Sequence, residues 1–151
     1  MDRLIDENPR SGSEPAMSFD ESVRRLKASV LRDLDWLLNT RRGVDSDEEL
    51  TPEVRESVYN YGLPDISSLG VDAPETHRQI VQNVEETITL FEPRLSDVRA
   101  RLAETPEGSI QELRIFIEAT LEMDPHPERI AFDTTIDVST GRFTVEDSDH
   151  A

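Results

Sequence analysis

The sequence predicts an α+β domain in which N-terminal helices pack on a C-terminal antiparallel sheet of three to four strands. The first observation is that apolar residues up to about position 91 recur every three or four residues, which is helical spacing. The second is that apolar and polar residues alternate beyond Pro93, which is typical of strands with one buried face. Turns rich in Pro and Gly divide this alternating part into short strands, so we expect a meander.

The first helix is predicted from Phe19 to Thr40. Ser18 and Glu21 form a capping box, in which the serine side chain accepts a hydrogen bond from a backbone N–H of the first turn. The run Arg41–Gly43 is typical of a helix C-terminus. We interpret the Trp36–Leu38 run as part of the core. The apolar stripe of this helix comprises Val23, Leu26, Val30, Leu34 and Leu37.

Two further helices are predicted before Pro93. Thr51 and Pro52 are typical of a helix start. Gly62 is interpreted as the C′ residue of that short helix, with Pro64 just beyond it. The third helix is predicted over residues 72–91, and its inward face consists of Ile80, Val81, Val84 and Ile88.

Four strands complete the predicted domain. Their alternating apolar residues are Val98, Ala100 and Leu102, then Leu113 to Leu121, then Ile130 to Ile136, and finally Phe143 with Val145. The domain is therefore expected over residues 18–146. Residues 1–17 are predicted to be a flexible acidic tail, and residues 147–151 a disordered tail.

The composition excludes several classes of function. The chain has 33 Asp and Glu against 16 Lys and Arg, a net charge of -17, which disfavours nucleic acid and anionic membrane surfaces as partners. No cysteine is present, so disulfides and thiolate metal sites are excluded. The sequence shows no signal peptide and no apolar stretch of about 20 residues, so we expect a cytoplasmic protein without direct membrane insertion.

No catalytic constellation is visible, so we expect neither an enzyme nor a cofactor. The histidines, His77, His126 and His150, are too scattered in sequence for a metal site. Glu92 is the most sharply placed acid, but Arg94 lies two residues later and points the same way in an extended segment. A guanidinium there lowers a carboxyl pKa, which is opposite to what a general acid needs. We therefore interpret Glu92 as an acceptor in a fixed ion pair.

Three segments carry a resemblance to a known family. They are Ser29–Arg42, Ser57–Asp65 and Ile88–Leu95. In order and spacing they resemble TssE, the baseplate subunit of type VI secretion systems, over roughly residues 18–146. That family is similar to a wedge protein of phage baseplates that is often labelled lysozyme-like. The family signature falls on Glu92, Pro93 and Arg94, followed by Leu95, which we expect near an interface.

The resemblance implies a structural role in a contractile injection machine. TssE-like proteins lie in the baseplate wedge beside TssF, TssG and TssK, and they give the sheath subunits TssB and TssC a first layer for polymerisation. The implied location is a baseplate docked at the inner membrane complex. Because a meander leaves an exposed edge, we expect a sheath subunit to add a strand there. The residues predicted to face the sheath are Ile136, Phe143, Thr144 and Val145.

Other functions remain open from the sequence alone. The family label suggests a peptidoglycan glycosidase, although no supporting pair of carboxylates is visible. The chain could also serve a phage tail or an extracellular contractile injection system. A fourth alternative is an acidic mimic of nucleic acid, which the amphipathic helices disfavour.

Overall fold

The computed structural model describes residues 17–42, 51–57, 60–66, 73–104 and 111–148. The tail predicted over residues 1–17 lies outside these ranges except for its last residue. Within them, three helices precede four strands, as the sequence predicts. The helices are α1 (Phe19–Asn39), α2 (Pro52–Arg55) and α3 (Pro74–Phe91). The strands are β1 (Leu95–Leu102), β2 (Glu112–Leu121), β3 (Glu128–Asp137) and β4 (Arg142–Asp147).

Helix α1 begins where the capping box predicts. The side chain of Ser18 accepts a hydrogen bond from the Glu21 N–H at 3.2 Å. The buried stripe of α1 includes Leu34, Leu37 and Leu38. Trp36 was predicted to be core, and that prediction is wrong, because its side chain is 70% exposed. At about 100° per residue, position 36 points away from a stripe that contains positions 34 and 37.

The four strands form one antiparallel sheet in the order β1-β2-β3-β4. The register between β2 and β3 places Ile117 opposite Phe132, and that between β3 and β4 places Thr134 opposite Val145. One face of the sheet is buried, and helices α1 and α3 both pack on the sheet, α1 against β4 and α3 against β1. The core is mostly aliphatic, with Phe132 and Phe143 as its large aromatic members.

The last strand extends beyond the Phe143–Val145 segment that the sequence predicts, because β4 comprises Arg142–Asp147. Asp147 was assigned to a disordered tail, but it lies in β4 opposite Phe132. Its carboxylate is 2.7 Å from the ammonium of Lys27 on α1. This ion pair gives the end of the strand a partner on the helix, which explains why the ordered domain extends beyond residue 146. Residues 149–151 lie outside the described ranges.

Candidate functional site

The Glu92–Pro93–Arg94 motif forms the junction between α3 and β1. Glu92 caps the C-terminus of α3, and its N–H donates to the carbonyl of Ile88 at 2.9 Å. The extended segment predicted from the sequence is not found here, because Pro93 and Arg94 lie in a turn in which the Leu95 N–H donates to the Glu92 carbonyl at 3.2 Å. The side chains of Glu92 and Arg94 meet across this turn. Arg94 donates through Nε to Glu92 Oε1 and through Nη2 to Oε2, both at 2.7 Å. This bidentate pairing is the fixed ion pair that the sequence predicts.

Arg94 also connects this junction to the first helix. Its Nη1 donates to Ser29 Oγ at 2.9 Å, and its Nη2 donates to Asp33 Oδ2 at 2.6 Å. Ser29 and Asp33 are four residues apart, so they lie on the same face of α1. We call these four residues, Ser29, Asp33, Glu92 and Arg94, the Arg94 network. It joins α1, the end of α3 and the start of β1 through one guanidinium.

The electrostatics of the Arg94 network favour a structural role. Glu92 is only 4% exposed, so its charge depends on Arg94 for compensation. Hydrogen bonding to Glu92 raises the pKa of Arg94 above its usual range, and Asp33 adds to this shift while burial opposes it. Burial, assisted by the charges of Asp33 and Glu92, also raises the pKa of Tyr61. Both carboxylate oxygens of Glu92 accept hydrogen bonds from Arg94, so the fold uses this group as an acceptor.

Gly62 has a different role from the one that the sequence suggests. Helix α2 ends at Arg55, so Gly62 is not its C′ residue. Gly62 adopts a φ of +103° where the chain runs beside the end of α1. Leu63 N–H donates to the Thr40 carbonyl at 2.9 Å, and a Cβ on Gly62 would lie 2.3 Å from that same oxygen. The positive φ of Gly62 is therefore required by a close approach of two backbones. Pro64 lies two residues further along the chain.

Strand β4 is an edge strand, and α1 closes part of that edge. Asn39 Oδ1 accepts from the Phe143 N–H at 2.9 Å, while Asn39 Nδ2 donates to the Phe143 carbonyl at 3.0 Å. Since the backbone of Phe143 binds Asn39, it points away from β3. Backbone direction alternates along a strand, so Thr144 faces β3 and Val145 faces outward. Within the described part of the chain, no side chain bonds to the Val145 backbone as Asn39 does to Phe143.

Helix α1 and the residues that follow it contact both ends of the β4 region. Near the turn that leads into β4, Arg41 donates to the carbonyls of Leu38 and Gly141, the first at 3.0 Å. At the other end, Lys27 forms the ion pair with Asp147. Helix α1 therefore contacts β4 at Phe143 and Asp147, and Arg41 just beyond the helix contacts the turn before β4. Val145 lies between the two contacts made by the helix.

At the opposite edge of the sheet, on β1, a carboxylate side chain accepts an outward-facing backbone hydrogen bond. Glu85 on α3 accepts from the Ala100 N–H of β1 at 2.8 Å. The register of β1 also shifts between Ser96 and Arg99, where Asp97 has a φ of +49°. A bulge of this kind twists an edge and disfavours further pairing. The β1 edge is therefore less suited to strand addition than the β4 edge.

The residues predicted to face a sheath do not all lie at the edge. Ile136 belongs to β3, which has neighbours on both sides, and its side chain is completely buried. It is therefore excluded from any edge surface. Phe143 and Val145 point their side chains into the core, so only their backbone can meet a partner. Sequence reasoning missed the roles of Asn39 and Asp33, whose only signal was the polar positions within the segment Ser29–Arg42.

The described ranges contain no group of three or more His, Asp or Glu side chains that could hold a metal ion. In the same ranges, no helix combines the length and the apolar character that crossing a membrane requires. The residues that the structure does bring together are the ion-paired Arg94 network and the backbone groups of the two sheet edges.

Comparisons with known proteins identify the family of this chain. A profile described as baseplate wedge protein gp25 matches residues 24–126, which is more than half of the chain. The fold and this match define a structural component of a baseplate. The chain belongs to the baseplate wedge protein gp25 family. A search of curated proteins found no match.

A solved structure shares the fold. It is described as the baseplate complex from the type VI secretion system, and one of its chains superposes with a TM-score of 0.51 at 21% sequence identity. The match covers 76% of this chain and 96% of that chain. Nearly the whole of the solved chain thus has a counterpart in this fold.

Proposed function

We propose that this chain is the TssE-type subunit of a type VI secretion baseplate. Membership of the gp25 family supports a place in a baseplate wedge, and the fold shared with a chain of a type VI baseplate complex favours the secretion system over a phage tail or an extracellular injection system. In this role the chain assembles with TssF, TssG and TssK. The baseplate docks at the inner membrane complex.

The proposed interaction with the sheath is strand addition at β4. The observation that carries it concerns the backbone of Val145, which faces outward. Val145 lies on β4, an edge strand that pairs with β3 on one side and with no strand of the described chain on the other. An incoming strand from TssB or TssC would donate to and accept from Val145 and continue the sheet. The chain would then act as the first layer on which the sheath polymerises.

A proline at Val145 tests strand addition directly. Val145→Pro removes the outward N–H, so we expect loss of TssB and TssC co-purification while TssF and TssG are retained. Val145→Ala is the matched control, because it shortens the same buried side chain but keeps the N–H. Thr144→Pro is unsuitable, since the N–H of Thr144 pairs with β3. Normal sheath recruitment by a folded Val145→Pro variant would disprove strand addition at this edge.

The proposed role is structural and not enzymatic. The single acid singled out by the sequence, Glu92, has both oxygens bound by Arg94, so it is poorly suited to act as the proton donor that glycoside hydrolysis needs. We expect no turnover of cell-wall substrate at acidic or neutral pH. Turnover that disappears in Glu92→Gln would instead establish the glycosidase alternative.

A further inference from the structure

A groove lies beside the closed part of the β4 edge. It is lined on α1 by Asp35, Trp36 and Asn39, just after that helix by Thr40 and Arg41, on the β3–β4 turn by Thr140, and at the start of β4 by Arg142. Its volume is about 620 Å³, within the roughly 300–1,000 Å³ typical of binding pockets. We call it the Trp36 groove. Asn39 belongs both to this groove and to the edge, because its side chain bonds the Phe143 backbone.

Trp36 is the aromatic residue among those that line this groove. Its side chain is 70% exposed, whereas Leu37 and Leu38 beside it are buried. The fold therefore does not use this indole in its core. Tryptophan is enriched among the few residues that carry most of the binding energy at protein interfaces. An exposed tryptophan in a groove suggests that an occupant would place an apolar side chain against its indole ring.

The charges of the groove define the second requirement of an occupant. The guanidinium of Arg41 is held by two carbonyls, those of Leu38 and Gly141. The carboxylate of Asp35 accepts from Asn39 Nδ2 at 3.2 Å. Arg142 is exposed, and among the described residues its guanidinium has no hydrogen bond or ion pair. The guanidinium of Arg142 is therefore suited to pair with an acidic group of a partner, although this chain has a net charge of -17.

We propose that the Trp36 groove is the anchor for the partner strand that joins β4. The strand pairs with Val145, meets Asn39 at Phe143, and there leaves the sheet to enter the groove. Its occupant is an extended segment in which an apolar side chain packs on Trp36 and a nearby carboxylate pairs with Arg142. This inference rests on the proposed function, and it adds side-chain specificity to an interaction that Val145 supports through backbone alone.

Trp36 is the only tryptophan of the chain, so it reports on the groove alone. We would incorporate 5-fluorotryptophan into this chain only and record its single ¹⁹F resonance before and after adding unlabelled TssB and TssC. Occupation of the groove shifts the resonance and reduces its sensitivity to a soluble paramagnetic quencher. A complex in which the resonance and its quenching stay unchanged would overturn the anchor while leaving strand addition intact.

Substitutions give a second, independent measurement. We expect Trp36→Ala to weaken sheath-subunit binding about 10- to 100-fold, as at interface hot spots. Its melting temperature should stay close to that of the wild type, because the indole is largely exposed. Leu90→Ala is the matched control, since Leu90 is an exposed apolar residue on α3, and it should bind normally. Arg142→Glu should also weaken binding, and added salt should reduce the difference from the wild type.

The outcomes separate the two proposals. Wild-type binding by a folded Trp36→Ala variant would overturn the anchor. Failure of the wild-type chain to bind TssB and TssC at all, while all proteins remain soluble, would overturn the proposed function and the anchor with it.

Discussion

The two edges of the sheet are closed by different chemistry. At β1 the carboxylate of Glu85 can only accept, so it satisfies the Ala100 N–H and nothing more. At β4 the carboxamide of Asn39 both accepts and donates, so it binds the N–H and the carbonyl of Phe143 as a neighbouring strand would. The β1 edge is also bulged near Asp97. The β1 edge is thus poorly suited to pair with a further strand. On the β4 edge, the backbone of Phe143 is already bonded by Asn39, whereas the backbone of Val145, the next outward-facing residue, remains available to a partner strand.

The difference shows that one sheet can disfavour pairing at one edge and leave it possible at the other. An unprotected edge invites pairing with any other edge. The carboxamide of Asn39 bonds the Phe143 backbone as a strand would, without distorting β4. The next outward-facing residue, Val145, therefore keeps the backbone geometry that a partner strand needs. A bulge and a carboxylate protect β1 without preserving such geometry.

The largest expected effect comes from the Arg94 network, which anchors the β1 side. Arg94→Ala leaves the buried carboxylate of Glu92 without its ion-pair partner. We therefore expect a loss of about 2–5 kcal/mol in the free energy of unfolding. Urea denaturation measures this loss. Arg94→Lys keeps a charge but not the bidentate geometry, and it should fall between wild type and alanine. An alanine variant as stable as the wild type would mean that the β1 side is not anchored here.

The next largest effect concerns the amide at the β4 edge. Asn39→Ala removes two hydrogen bonds to Phe143, which should cost about 1–3 kcal/mol at roughly 0.5–1.5 kcal/mol each. Amide hydrogen exchange at Phe143 should become faster. Asn39→Asp is the informative companion, because it keeps the acceptor for the Phe143 N–H but loses the donor to the carbonyl. Unchanged exchange at Phe143 in Asn39→Ala would contradict the comparison of the two edges.

A smaller effect is expected when the carboxylate at the β1 edge is removed. Glu85→Ala leaves the Ala100 N–H without its acceptor, at a cost of about 0.5–1.5 kcal/mol. Exchange at Ala100 should become faster, while binding to TssB and TssC should not change, since the bulge still disfavours pairing. Weakened sheath binding in this variant would show that β1 and not β4 meets the partner.

The smallest effect concerns the turn that presents β4. Hydrogen bonds from the Ser139 side chain and from Thr140 lower the pKa of Asp137. A lowered pKa in the folded state means that the stabilisation is present above the unfolded pKa of about 3.9 and is lost as pH falls through the folded value. We expect the stability difference between wild type and Asp137→Asn to shrink below about pH 4. A difference independent of pH would exclude the ionised carboxylate as its cause.

Local patterns in the sequence predict much of the fold. The Ser18 cap and the change from helical to alternating spacing near Pro93 suffice for the order of helices and strands. The pairing of Glu92 with Arg94 follows from their separation of two residues. In each case the interacting groups are close in sequence, so backbone geometry alone brings them together.

Contacts across the fold could not be predicted in the same way. Asn39 and Phe143 are 104 residues apart, and their contact depends on how α1 lies against β4. The positive φ of Gly62 agrees with its predicted role at a turn, but its cause is the Thr40 carbonyl at the end of α1 and not the end of α2. Trp36 lies beside two core leucines, and only its position around the helix axis separates it from them.

The ion pair between Lys27 and Asp147 has a practical consequence for mapping this chain inside a larger machine. Lys27 is the only lysine of the sequence, and it is 8% exposed with its ammonium held by a carboxylate. Cross-linking reagents that attack lysine side chains therefore find no ready target on the domain, even where its surface touches a neighbour. Reagents that couple carboxylates, of which the chain has 33 on Asp and Glu side chains, should reveal contacts that amine chemistry leaves invisible.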